Sequence, residues 1–238
     1  MTGEMQFYPI MLRKIWNRDG FLLVLLLSCL FGNISAQQTV YKQKAFFWGI
    51  NALHTAGNTY HYSKLKSVGH NQFKINFLDK QVKLKLNRTT AHISDATLLS
   101  TFATAGIFIL AQVPKNNRAN NSIRMAENLW MTYNVTETFK NSVKRLRPYA
   151  YTKSILIKDD YRSFISGHSS LTSTLATSMW LSKPKNKLLP ILASGLAVGT
   201  AALRVKAGKH FVSDVLAGAL VGFGVAFIHE KIAPVNRP

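Results

Sequence analysis

The sequence predicts an all-helical protein built as one bundle, and three observations carry that expectation. Residues 96–114, 188–203 and 215–228 are uncharged apolar runs too long for ordinary strands. Residues 122–146 put Met125, Leu129 and Tyr133 on one face of an amphipathic helix, with Glu127 and Glu137 opposite. Gly218 and Gly222 recur at the spacing that lets one helix press closely on another, with Gly224 beside them.

Taken in order, residues 1–36 read as an export signal. Arg13, Lys14 and Arg18 form a basic start, Phe21 to Phe31 an apolar core, and Ala36 a small residue at a cleavage point. An uncleaved anchor, or a lipidated Cys29, are the competing readings. Residues 37–94 form a basic, irregularly patterned region in which Val82 to Leu86 alternates as a short strand would. Phe46-Phe47-Trp48 reads as a packing or interface cluster. His54, His61, His70 and His92 lack metal-ligand spacing. The helical domain spans 95–230: Asp95 caps its first helix, Pro148 ends the amphipathic one, and Ser166 starts another running to about Leu181. Residues 231–238 are a tail.

Charge narrows the chemistry. With 238 residues there is room for one medium domain, and the net charge of +20 asks for an anionic partner. The basic residues are scattered and no nucleic-acid motif is present, which leaves an anionic membrane face or a phosphorylated substrate. Beyond residue 36 the only acids are Asp79, Asp95, Glu127, Glu137, Asp159, Asp160, Asp214 and Glu230. That is a poor supply for a two-metal hydrolase. Cys29 is the only cysteine, so a chain cut after Ala36 has no disulfide and no cysteine nucleophile.

Three blocks hold the candidate chemistry. Lys140 and Arg147 stand seven residues apart before Pro148, on one side of a helix if it continues that far. Ser166-Gly167-His168 opens a helix, where a serine cap, a glycine and free amide groups suit an oxyanion and His168 could give a proton to a departing oxygen. Arg204, His210 and Asp214 follow with five and three residues between them. If His210 and Asp214 share a helix they face one way, and the carboxylate can fix the imidazole tautomer. Each block alone also reads as ordinary structure: solvated cations, a capped helix, a surface ion pair.

Together, Lys-x6-Arg-Pro, Ser-Gly-His and Arg-x5-His-x3-Asp resemble the type-2 phosphatidic acid phosphatase superfamily. Its bundle is shared by lipid phosphate phosphatases, bacterial class A acid phosphatases and vanadium haloperoxidases. The resemblance covers roughly residues 95–230. It implies that His210 attacks phosphorus and Asp214 orients His210. Lys140, Arg147 and Arg204, with Ser166 and the Gly167 amide, would hold the phosphoryl oxygens. His168 would protonate the leaving group and then activate water, with no metal or other cofactor and with vanadate as a phosphate mimic. Two positions depart from the family: Ile165 stands where proline is usual, and Leu203 where serine is usual.

The expected activity is therefore a metal-independent phosphatase acting on a phosphomonoester or diphosphate, lipid-linked by preference, at the membrane surface. Its expected location is the periplasm, or the outer face of the inner membrane, of a bacterium. The alternatives are a vanadate-dependent haloperoxidase, from which the short chain argues away, and a non-catalytic protein binding anionic lipid. The second of these has no use for His168, His210 and Asp214. The sequence carries no signal for an oligomeric state.

Overall fold

A computed structural model describes residues 38–64 and 75–232; the residues read as an export signal and most of the tail lie outside them. Six α-helices alternate up and down: α1 (Gln38–Lys64), α2 (Arg88–Gln112), α3 (Arg118–Val143), α4 (Gly167–Leu181), α5 (Leu188–Lys206) and α6 (Val212–Ile232). No strand occurs among the described residues. The all-helical expectation holds.

The core lies between α2, α3, α4 and α5, where Phe108, Met125, Leu171, Leu175 and Met179 are buried together. Polar ladders join the helices as well. Thr132 pairs with Thr174 at 2.8 Å, Thr136 with Ser170 at 2.9 Å, and Asn128 with Ser178 at 2.9 Å, which sets α3 antiparallel to α4. Helix α6 lies parallel to α4 at short range, because Cβ atoms at Gly218 and Gly222 would collide with the carbonyls of Ser166 and Ser170. The glycines thus bring the N-terminal ends of α4 and α6 together.

Four local expectations are corrected. The region read as irregular contains the 27-residue helix α1. Its contact with α3 is polar, through Trp48 to Glu127, Asn58 to the Asn134 carbonyl and Asn134 to the Asn51 carbonyl, so no apolar stripe announced it. Of the aromatic cluster read there, Phe47 stacks on His229. Val82 to Leu86 is not a strand: Val82 is buried and Leu86 packs on a loop cluster of Leu146, Tyr149 and Tyr161, while Leu84 is exposed, so the alternation marks no sheet face. Helix α2 starts at Arg88, capped by the Asn87 side chain, which accepts from the Thr90 N–H, so Asp95 lies inside it. Helix α3 stops at Val143, where Lys144 turns left-handed (φ 51°), short of Pro148.

Helices α2, α5 and α6 are 25, 19 and 21 residues long and apolar enough to cross a membrane. The uncharged runs 188–203 and 215–228 lie inside α5 and α6, and most of 96–114 lies inside α2. Their outward faces carry Leu99, Ile107, Leu110, Ile191, Val198, Leu220 and Phe223, all exposed. Apolar surface on this scale outside a core associates the protein with lipid.

Candidate active site

The three blocks meet at one end of the bundle, where α3 and α5 finish and α4 and α6 begin. Gly208 makes this possible. It closes α5 in the left-handed region (φ 69°), and a Cβ there would strike the carbonyl of Lys85. The chain then reverses so that Arg204, in the last turn of α5, and His210, two residues before α6, face the same space.

His210 is 2% exposed and held on both ring nitrogens. Its Nδ1 lies 2.7 Å from the Ser163 carbonyl oxygen, which can only accept, so Nδ1 carries the proton. Nε2 then keeps its lone pair and faces Arg147 Nη1 at 3.2 Å. Burial, and after it the cations Arg147, Arg204 and Lys140, hold the His210 pKa well below the ordinary histidine value. The imidazole is therefore neutral at pH 7, with the Nε2 lone pair unprotonated.

Asp214 sits in the first turn of α6 and does not touch the imidazole as expected, because His210 lies outside that helix. Its Oδ2 is 3.8 Å from His210 Nδ1 and instead accepts from Ser163 Oγ at 2.5 Å and the Phe211 N–H at 2.9 Å. Its Oδ1 accepts from Arg145 Nη1 at 2.6 Å. Asp214 therefore fixes the Ser163 segment and the 210–214 turn, and Ser163 passes that order to the ring. Arg145 also reaches Asp79 at 2.7 Å, and Asp79 in turn accepts from the Ser213 N–H and hydroxyl.

Lys140 and Arg147 converge, though by a different route from a shared helix face. Lys140 is in the last turn of α3, whereas Arg147 follows the Lys144 reversal and is pinned by its N–H to the Asp160 carbonyl at 2.8 Å. Lys140 Nζ bonds Glu137 at 3.0 Å and lies against Gly167, where a Cβ would stand 3.2 Å from it. Glu137 also accepts from the buried Arg162. Ser166 caps α4 as expected, its hydroxyl accepting from the Ser169 N–H at 3.5 Å, and its own N–H binds the Asp214 carbonyl at 3.0 Å.

His168 and Arg204 share one partner that sequence reasoning passed over. Asp95 Oδ1 is 2.8 Å from His168 Nε2 and 2.9 Å from Arg204 Nη1. Arg204 also donates to Ser94 Oγ at 3.0 Å, so the hydroxyl missing at Leu203 is supplied from α2. Its Nε is buried without a hydrogen-bond partner among the described residues, as is that of Arg145. Burial, with Arg204 next, pulls the His168 pKa down to about 4 despite Asp95. Lys209, absent from the sequence-derived set, is pulled to about 8 by burial and by Arg147 and Arg204. Among the described residues no three His, Cys, Asp or Glu side chains gather as metal ligands.

The arrangement is a cation-lined recess with a neutral imidazole at its floor and a second histidine at a helix N-terminus. It suits a tetrahedral oxyanion. A family model described as the PAP2 superfamily matches residues 121–237. No curated protein matches the chain. Among solved structures it is similar to a transmembrane PAP2-type phosphatidylglycerolphosphate phosphatase from Bacillus subtilis, with 17% identity, 94% of this chain and 100% of that one covered, and a TM-score of 0.44. The matched residues hold all three blocks now seen converging, and this part of the chain belongs to the PAP2 superfamily; the protein is a phosphatase.

Proposed function

We propose that the protein hydrolyses a lipid-linked phosphomonoester or diphosphate at a membrane surface, through a phosphohistidine on His210 and without a metal. The observation that carries this is the neutral His210, with Nδ1–H on the Ser163 carbonyl and Nε2 turned to Arg147. In the first step the Nε2 lone pair attacks phosphorus and the bond to the leaving oxygen breaks, that oxygen taking a proton from His168. Arg147 gives up Nε2 for a phosphoryl oxygen, joined by Arg204, Lys140 and the amides at the start of α4. Water then attacks the phosphohistidine, yielding its proton to His168 and releasing phosphate.

Charge is what the recess supplies. Phosphoryl transfer spreads negative charge over the equatorial oxygens, so fixed cations lower the barrier with no further chemistry. Burial and then Arg204 depress His168; a bound dianion offsets the second of these and so raises its capacity to act as an acid. The lipid preference rests on the apolar outer faces of α2, α5 and α6. The proposed location, outside the cytosol of a bacterium, rests on the signal-like residues 1–36. Phosphate release should occur from a lipid monophosphate in mixed micelles and more slowly from a soluble phosphoester. It should vanish in His210→Ala, and quenched wild type should carry one phosphoryl group on His210. Release by His210→Ala at the wild-type rate would reject the reading.

A further inference from the structure

A groove of about 660 Å³ lies outside the catalytic recess, between residues 81–88 and the end of α5. Its floor includes Val82 and Val205, and its rim carries Lys83, Lys85, Arg88 and Lys206. All four cations are exposed, and no carboxylate lines the groove. None of them appears in the site described above. The groove is held in place from beneath, since the Asn87 N–H binds the Ala207 carbonyl at 3.1 Å and the Lys85 carbonyl rests on Gly208.

Two of the cations end apolar stripes. Along α5 the exposed positions Leu188, Ile191, Val198 and Lys206 fall on one side of the helix. Along α2 the exposed Leu110, Ile107 and Leu99 lead in the same way to Arg88. The two helices pack antiparallel, Thr97 Oγ1 accepting from Thr200 Oγ1 at 2.8 Å, so both stripes run to the groove. An apolar stripe that ends in a basic pocket is the shape of one membrane leaflet in miniature: chains alongside, a charged headgroup at the end. The volume is of the size that holds a small polar ligand.

The geometry points to a resident anionic diacyl phospholipid in this groove, its phosphodiester among Lys83, Lys85, Arg88 and Lys206 and its chains along α2 and α5. A zwitterionic lipid brings an ammonium that these four cations, without a carboxylate partner among the described residues, repel; an anionic one brings only the charge they lack. The bound lipid would also brace residues 81–88 against Gly208, two residues from His210. The inference rests on the membrane placement of α2 and α5 and not on the phosphatase chemistry. A phosphodiester has no terminal phosphoryl group for His210 to take, so occupancy of the groove and turnover are read separately.

The test is lipid retention by the full chain. Wild type is delipidated in detergent, offered phosphatidylglycerol and phosphatidylcholine in equal amounts, repurified, and its bound lipid counted by mass spectrometry. Phosphatidylglycerol should be enriched about tenfold or more, since each basic residue near an anionic surface contributes a several-fold preference. The variant Lys83→Gln/Lys85→Gln/Arg88→Gln/Lys206→Gln should retain both lipids about equally. A control at the opposite end, Lys115→Gln/Lys183→Gln/Lys185→Gln/Lys187→Gln, removes the same charge and should keep the enrichment. Equal loss in both variants would assign the effect to overall charge and overturn the proposal, as would enrichment surviving in the groove variant or absent from wild type. Should the fourfold variant not fold, Lys83→Gln and Lys206→Gln singly should each lower the enrichment. A chain that releases no phosphate yet enriches phosphatidylglycerol would reject the proposed function and uphold this one.

Discussion

Arg145 and Arg147 are two residues apart, both buried, and satisfied in opposite ways. Arg145 lies between two fully buried carboxylates, Asp79 and Asp214, with its guanidinium 4.1 Å over the Phe211 ring. One arginine there faces two acids. Arg147 belongs to a group with Lys140, Arg162, Arg204 and Lys209, five cations sharing Glu137, Asp95 and Asp159. The first cluster is satisfied by the chain itself, Arg145 and the Ser163 and Ser213 hydroxyls donating to the two carboxylates, and it ties α6 to the preceding loop. The second keeps a positive excess, five cations over three carboxylates, which an anion would complete. Buried charge is costly unless paired, so the excess marks where a ligand belongs.

Lesions in the two clusters should therefore separate activity from stability. The largest effect is expected for His210→Ala, a loss of roughly 10,000-fold in phosphate release with little change in melting temperature. A parallel loss of fold would show that the recess is also structural. Arg145→Ala should do the reverse, leaving Asp79 and Asp214 buried without a counter-charge at a cost of about 3–5 kcal/mol. Arg145→Met combined with Asp79→Asn should recover part of that stability, and calorimetry would show whether it does.

The contact joining the clusters can be strained directly. Gly222→Ala presses a methyl into the Ser170 carbonyl and should cost about 1–3 kcal/mol, whereas Gly224→Ala meets nothing within 4 Å and should not. Equal melting temperatures for the two would contradict the close α4–α6 approach.

The pH dependence follows from the second cluster. His168 and His210 titrate lower in the folded chain than the value near 6.5 expected when unfolded, His168 at about 4. Below pH 6.5 the unfolded chain therefore binds protons that the folded chain refuses, and stability is lost as pH falls from 6.5 toward 4. The slope should be about 1.4 kcal/mol per pH unit for each histidine. Phosphate or vanadate should flatten it, because a bound anion offsets the cations. Melting curves at pH 7 and pH 5, with and without vanadate, would reveal a slope indifferent to the anion if the recess did not bind one.

The smallest effect is expected for Asp95→Asn, which is 46% exposed on its side chain. Its loss should slow turnover about tenfold on substrates with poor leaving groups and less on nitrophenyl phosphate, since it positions His168, the proposed proton donor. The same slowing on both would place Asp95 with Arg204 alone.

The sequence by itself determined the helical class, the three reactive blocks and the apolar faces. Each is written in local spacing: runs long enough for helices, a serine cap three residues before Ser169, glycines four apart. It could not show α1, whose buried contacts are asparagine, threonine and tryptophan and leave no apolar period. Nor could it show that Arg145 and Arg147 differ in kind, because that depends on acids 66 and 12 residues distant along the chain. Asp95 was read only as a helix cap, and Ser163 was given no role. The one available clue was scarcity, for in so basic a chain few carboxylates are free to neutralise buried arginines. Only the tertiary structure decided which arginines they neutralise and which remain charged for a substrate, since Coulomb pairing acts across space and not along sequence.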